Sequence, residues 1–313
     1  MGNTLYTIRN YRPTDFDKYI QLNIEVEKLE LTGRCTSPQL LRENLYRPNY
    51  SPEQDLFIVE TAGNIVGYMD VAPEVRIGRV ILNSLIHPDH RRRGLASKLL
   101  GHAIHRAQEL GVRVAHVNIP QDNIIAKSVL TKLSFRFIRE FLELRLDISR
   151  VRWKESGQSA IKYRNLRRGE ESKLAQLQNR SFTGTWGYNP NTVEEIIYNT
   201  NLSGSSPEDV VLACEGDKVI GYCWTRITCG AVTDRRKGQI FMLGVDPDYQ
   251  GRGIGKRVLL AGLSHLRSKG LRVVELSVDG ENRVALALYR SIGFEIRASS
   301  LWYEKALALN HDF

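Results

Sequence analysis

Cysteine is scarce in this chain: four occur among 313 residues, Cys35, Cys214, Cys223 and Cys229. None makes a C-x-x-C pair, so neither a disulfide scaffold nor a redox or zinc motif is encoded, and reduced thiols in a cytoplasmic protein are expected. Apolar runs are short. None reaches the ~18 residues of a membrane span, and the first ten residues lack the basic-then-apolar order of a signal peptide. There are seven histidines; His102 and His105 share helical spacing but have no cysteine or carboxylate constellation beside them, so no metal is expected. A long basic tail, a helix-turn-helix and an RNP-type aromatic motif are all missing. The formal net charge of +9 is thus the one feature that would suit nucleic acid, and no motif supports that reading. Most of this charge reads as solvated surface. The sharper alternative is attraction of an anionic small ligand. Nothing in the sequence requires a second copy, and a monomer is compatible with it.

What the chain does have is a repeat. Pro88-Asp-His-Arg-Arg-Arg-Gly-Leu-Ala aligns with Pro247-Asp-Tyr-Gln-Gly-Arg-Gly-Ile-Gly at an offset of 159, which holds without a gap from 88–135 to 247–294. Eleven of those 48 positions are identical, and they include punctuating residues: Gly111/Gly270, Asn123/Asn282, Ala126/Ala285, Phe135/Phe294. Repeats of this length are tandem domains. The starts match as well, Arg9-Asn-Tyr-Arg with Arg164-Asn-Leu-Arg and Val66-Gly-Tyr with Ile220-Gly-Tyr. The second copy carries extra residues around 229–238. The expected division is 1–150 and 151–313, with the polar stretch 152–159 as linker.

Within the second copy, strands are expected at 160–166, 210–214, 219–226, 239–245, 273–278 and 294–305, and helices at 170–182, 192–198, from about 255 to Gly270, and 285–291. Leu259, Leu263 and Leu266 place one helix face on the core. This order predicts an α/β (α+β) fold, a mixed sheet flanked by helices, made twice.

Gln250-Gly251-Arg252-Gly253-Ile254-Gly255 lies between an apolar strand and a helix. Its glycines bare the main chain, so amides can converge on an anion at the positive end of the helix. Arg252 and Lys256 can reach further phosphate oxygens. A P-loop needs Ser or Thr after the lysine, and Lys256 is followed by Arg257; a Rossmann fingerprint needs a different glycine spacing.

The pattern Q/R-x-x-G-x-G/A after a strand, at Gln250, Gly253 and Gly255 and again at Arg91, Gly94 and Ala96, resembles the GNAT acetyltransferases. A second element supports it: Asn282, Ala285, Leu288-Tyr289 and Gly293-Phe294. The resemblance implies two tandem GNAT folds, each a mostly antiparallel sheet opened by a V-shaped splay. It implies acetyl-CoA as cofactor and transfer of its acetyl group to the primary amine of a small molecule. The amides of Leu243, Gly244 and Val245 would bind the pantetheine arm and polarise the thioester carbonyl. Gln250 to Lys256 would hold the diphosphate, with Asn282 beside them. Tyr289 would protonate the departing thiolate.

The second copy also resembles tandem acetyltransferases of the mycothiol synthase type, but has Gln239 where that pattern has glutamate and Ser277 where it has tyrosine. Gln239 cannot accept a proton. Period two along Val273–Asp279 puts Glu275 on the face of Ser277, making Glu275 a candidate base. Arg226, Trp186, Gln239 and Ser277 are expected to line the acceptor pocket, together with Tyr188.

In the first copy, Ser84, Leu85 and Ile86 match the pantetheine strand, and Arg91, Arg92, Arg93, Gly94, Leu95 and Ala96 match the diphosphate loop. Leu130 stands at the position of Tyr289, Ser134 at that of Gly293 and Val80 at that of Gln239. Leucine cannot protonate a thiolate. The first copy is expected to be non-catalytic while keeping a place for CoA.

Overall fold

The computed structural model describes residues 5–30, 37–151, 153, 161–229 and 236–308. Cys35 and nearly all of the expected linker, 152–159, lie outside the described residues, as does most of the expected insertion, at 230–235. The chain divides into two compact units, residues 1–139 with 301–313, and residues 140–300.

In the first unit, β1 (Thr7–Asn10) precedes α1 (Phe16–Glu30), α2 (Pro38–Leu45) and α3 (Pro52–Asp55). Then come β2 (Leu56–Thr61), β3 (Asn64–Glu74), β4 (Arg79–Ile86), α4 (Leu95–Glu109), β5 (Val114–Pro120), α5 (Ile124–Lys132) and the start of β6 (Arg136–Asp147). β1 to β4 pair antiparallel in order. β5 joins β4 in parallel, over Arg79–Ile81 and Val114–His116. Helix α4 packs Leu95, Leu99, Leu100, Ala103 and Ala107 into the core on one face, and α1 packs Tyr19, Leu22 and Val26 into a separate cluster.

The second unit repeats the plan: β7 (Ile161–Asn165), α6 (Glu171–Phe182), α7 (Val193–Thr200), β8 (Val210–Glu215), β9 (Lys218–Cys229), β10 (Arg236–Val245), α8 (Ile254–Ser268), β11 (Val273–Asp279), α9 (Arg283–Ile292) and β12 (Glu295–Ala306). Thr192 begins α7 with a reciprocal capping box to Glu195. Helix α8 buries Leu259, Leu263 and Leu266 as expected, together with Ile254 and Val258. Helices α6 and α7 pack over the Tyr222/Trp224 face of β9, and α8 packs over the Cys223 face.

The units depart from the division expected at residue 150. Residues 141–147 of β6 pair antiparallel with β11 of the second unit. Leu301, Tyr303 and Leu307, in and just after β12, belong to the core of the first unit. The chain thus passes between units inside two long strands. Sequence gave no sign of this: each strand alternates in the ordinary way, and only tertiary pairing decides which sheet each half joins.

Both units contain a splay. β10 pairs with β11 only at Gly238↔Val274 and Gln239↔Glu275, after which β10 runs on to Val245 without that neighbour. On its other edge β10 stays paired with β9, apart from a bulge between Ile240 and Met242. Along an antiparallel strand every second residue turns its N–H and C=O away from the paired neighbour. Beyond Gln239 those groups face the opening.

Candidate active site

The loop from Gln250 to Gly255 is shaped by left-handed turns, with φ 77° at Gly251 and 72° at Gly253. A side chain would be strained at both places. Gly253 is the N-cap of α8 and supplies no side chain, and the first helical bond to close is Arg257 N–H to Gly253 O at 3.3 Å. Among the described residues the N–H groups of Ile254, Gly255 and Lys256 have no acceptor. These are the donors a helix start leaves open to an anion.

The strand end before the loop is pinned. Asp246, nearly fully buried, accepts from Asp248 N–H at 3.0 Å and is gripped by Arg180 of α6 at 3.0 and 3.1 Å. The Arg180 guanidinium holds the Asp246 carboxyl below its ordinary pKa. Gln250 Nε2 donates to Val245 O at 3.2 Å, closing the turn from within. Arg252 donates to Asp248 O at 3.1 Å with its guanidinium 5.0 Å from the Tyr249 ring, and Lys256 is exposed.

Gly244 is the buried member of Leu243–Val245, opposite Tyr222 in the β9 register. Tyr289 lies on α9 among the buried residues of the second unit's core, its ring edge-on to Phe294 at 5.7 Å. Burial, reinforced by Cys223 nearby, pushes its phenol well above the usual value of 10. The hydroxyl is therefore a proton donor throughout the physiological range. Asn282 is the N-cap of α9: its Oδ1 accepts from Ala285 N–H at 3.0 Å. Asn123 and Ala126 do the same at α5. The recurring Asn-x-x-Ala is thus a helix cap in both units.

Glu275 and Ser277 do share a face of β11, away from the buried Val274, Leu276 and Val278. The candidate base, however, is engaged. Both Glu275 oxygens take Lys237 Nζ, at 3.0 and 3.3 Å, and Arg145 Nε lies 3.6 Å away. The candidate base is thus an ion-paired carboxylate, held by Lys237 with Arg145 close by. Gln239 sits at the vertex of the splay between Arg226 and Glu275. Ser277 is exposed. Trp186 meets Phe141 at 5.9 Å. Tyr188 donates to Asn179 Oδ1 at 2.7 Å and stacks on Phe182, which ties it to the scaffold.

Arg226 is largely enclosed. Its guanidinium carbon lies 3.3 Å from the centroid of Phe241, the residue at the bulge of β10, and Nη2 donates to Asn199 Oδ1 at 3.0 Å.

The first unit repeats the loop. Arg92 takes φ 61° where Gly251 stands in the second unit, and Gly94 takes 73° as N-cap of α4. Arg91 Nε donates to Ile86 O at 2.9 Å and Arg93 to Asp89 O at 3.2 Å, matching Gln250 and Arg252. Leu95 is buried and Ala96 half-buried, as Ile254 and Gly255 are. Ser84, Leu85 and Ile86 pair with β3 and have no β5 partner in the ladder, which ends at Ile81. Arg91 Nη1 also donates to Glu30 Oε1 at 2.5 Å. Leu130 is buried, and Ser134 adopts φ 62° in place of glycine.

The sequence profile of the Acetyltransferase (GNAT) family matches residues 26–135 and 172–294, one copy per unit. The chain belongs to the GNAT acetyltransferase family. It is an N-acetyltransferase of tandem architecture. A mycothiol acetyltransferase of Amycolatopsis mediterranei is 32% identical over 248 residues, covering 77% of this chain and 81% of that protein. One from Saccharomonospora viridis is 30% identical over 251 residues, covering 77% and 80%. Among solved structures, a GCN5-related N-acetyltransferase from Sphaerobacter thermophilus aligns with TM-score 0.73 at 21% identity, over 98% of both chains. A tandem GNAT protein from the clavulanic acid biosynthesis pathway aligns with TM-score 0.72 at 16% identity, over 97% of this chain and 99% of that one.

For a GNAT enzyme, three parts of this site had escaped the sequence reading. The Arg180–Asp246 clamp joins residues 66 apart. The ring of Tyr222 lies against Gly244, and Asn199 holds Arg226. Only Tyr222 had a signal, through its place after the repeated Gly67/Gly221.

Proposed function

We propose that the second unit transfers the acetyl group of acetyl-CoA to the primary amine of a small molecule, and that the first unit does no chemistry. The observation that carries this reading is the set of open amides at the start of α8, next to a strand whose far edge has lost its neighbour. That arrangement suits a diphosphate followed by an extended amide-bearing arm. Acetyl-CoA supplies the activated acetyl thioester.

The chain's own residues bind and orient it. Amides of Ile254 to Lys256 take the diphosphate. Leu243 to Val245 take the arm and donate to the developing oxyanion. Tyr289 holds the proton that the departing thiolate needs. Leu130 leaves the first unit without such a donor, although its loop keeps the turn geometry for a second CoA diphosphate.

Neither Gln239 nor Glu275 is set to accept a proton from the amine. The attacking species is therefore the neutral fraction of the acceptor. With each amine, kcat/KM should rise about tenfold per pH unit up to that amine's own pKa. Glu275→Gln should leave the profile in place; a lost or displaced limb would return Glu275 to the role of base.

The acceptor class follows the relatives named mycothiol acetyltransferase: a cysteinyl-type primary amine of a small molecule. Thioester consumption with cysteinyl conjugates, amino sugars, polyamines, amino acids and peptide N-termini tests it. No turnover with any of them, despite CoA binding, would leave a non-catalytic acyl-CoA-binding protein. Turnover confined to peptide N-termini would move the acceptor to a protein.

A further inference from the structure

Among the described residues, three hydrogen-bond donors on one face of β9 have no acceptor. Tyr222, Trp224 and Arg226 alternate along the strand toward α6 and α7, and Tyr222 Oη, Trp224 Nε1 and Arg226 Nε are each enclosed and unpartnered. Buried polar groups are nearly always paired, so three in a row need a reason.

Arg226 matters most, because it is charged. Its contacts are the Phe241 ring at 3.3 Å, the Trp224 ring at 5.4 Å and Asn199 Oδ1 at 3.0 Å. The aromatic faces and one amide oxygen offset part of the desolvation cost. Among the described residues no carboxylate pairs with it. Burial lowers the guanidinium to about 10, which leaves it charged at neutral pH. A buried cation without a counter-charge is costly, and a well-packed apolar residue in its place would avoid that cost.

The location is also informative. Arg226 is opposite Gln239 in the register, at the vertex from which the splay opens, and its guanidinium lies over Phe241. Phe241 precedes Leu243 by two residues, roughly 7 Å along the strand. A group held at Arg226 is thus several bonds away from one reacting beside Leu243.

We infer that Arg226 is the recognition element for a carboxylate on the acceptor, placed several bonds from the amine, as in a dipeptide rather than on the same carbon. The inference rests on the acetyl-transfer reading and narrows it. A carboxylate offers several lone pairs to the reachable part of the guanidinium, and supplies the counter-charge that no described residue gives. The specificity is for a planar anion with a free amine at a fixed span.

The test uses the full chain at saturating acetyl-CoA, with four amines: the dipeptide Cys-Gly, its C-terminal amide, free cysteine, and a neutral cysteinyl–aminosugar–inositol conjugate. The dipeptide should exceed its amide in kcat/KM by about 10- to 100-fold, the range of a charge-assisted hydrogen bond. It should also exceed cysteine. Arg226→Met should bring the dipeptide-to-amide ratio to about one, while KM for acetyl-CoA stays within about twofold. Arg226→Lys should keep part of the preference, because it keeps the charge without the planar fork. Equal use of dipeptide and amide by the unaltered enzyme overturns the inference and leaves acetyl transfer standing. So does an equal fall for both in Arg226→Met. Absence of turnover with all four amines overturns the inference, and acetyl transfer stands if any member of the wider amine panel is turned over.

Discussion

A β-carbon added to Gly244 would fall 2.5 Å from Cε1 of Tyr222 and 3.0 Å from Cβ of Ser181. The tyrosine ring fills the space that a side chain would take, on the face of β10 beneath α6. Tyr222 is fully buried, so it has nowhere to retreat. Gly244→Ala should therefore displace the strand whose amides are proposed to polarise the thioester. Overpacking of this kind costs about 1–3 kcal/mol. Thermal unfolding should show that loss, and KM for acetyl-CoA should rise. A second change, Tyr222→Leu, should restore the melting temperature if the clash is the cause.

Tyr289→Phe removes one oxygen and little else. General-acid groups contribute about 10²–10⁴ in rate, so kcat should drop within that range while the melting temperature holds. The raised phenol also sets a pH limit. A folded-state pKa above the unfolded value of 10 leaves stability constant below pH 10. As pH rises through 10 the unfolded chain releases a proton that the folded chain keeps, and stability falls by about 1.4 kcal/mol per pH unit. Tyr222, raised by complete burial, adds a slope of the same sign. Melting temperatures between pH 9 and 11 should fall less steeply in Tyr289→Phe.

Asp246 acts through position on the loop proposed to hold the diphosphate. Its carboxylate caps the turn at Asp248 and is held by Arg180. Asp246→Ala should loosen the loop and raise KM for acetyl-CoA about tenfold, with a smaller effect on KM for the amine. The Asp246 pKa is depressed in the folded state, so its contribution is complete above the unfolded value near 3.9 and lost as pH falls through the lower folded value. Acid unfolding monitored by circular dichroism should shift to higher pH in Arg180→Ala. His87 occupies the matching place in the first unit and accepts from Asp89 N–H at 3.3 Å.

A fragment ending at residue 150 should not fold to a stable domain. It would lack Leu301, Tyr303 and Leu307, which are core residues of the first unit, and Glu304, which receives His116 at 3.1 Å. Each apolar side chain contributes about 1.5–3 kcal/mol on burial, which in sum rivals the net stability of an ordinary domain. Proteolysis and hydrogen exchange should report an open first unit in the fragment and a protected one in the full chain. CoA stoichiometry is accordingly measured on the full chain, where two equivalents are expected if the first loop binds.

Sequence by itself determined the local structure. Glycines at 251 and 253, the cap residues Asn282 and Thr192, the stop at Gly293 and the apolar row of α8 each act over a few residues, where covalent sterics and helix periodicity leave little choice. The same local logic made the glycine-rich turn legible twice, because a repeated motif repeats its turn. What only the tertiary structure decided involves residues far apart in the chain. Strand alternation cannot say which sheet residues 141–147 or 301–306 will join, since each half buries its apolar face equally well in principle. Nor can it say that Glu275 is occupied by Lys237 and Arg145, that Arg91 is held by Glu30, or that Arg226 is enclosed with no counter-charge among the described residues. Those outcomes depend on distances set by packing, and charge and hydrogen-bond partners are chosen only after the chain has closed.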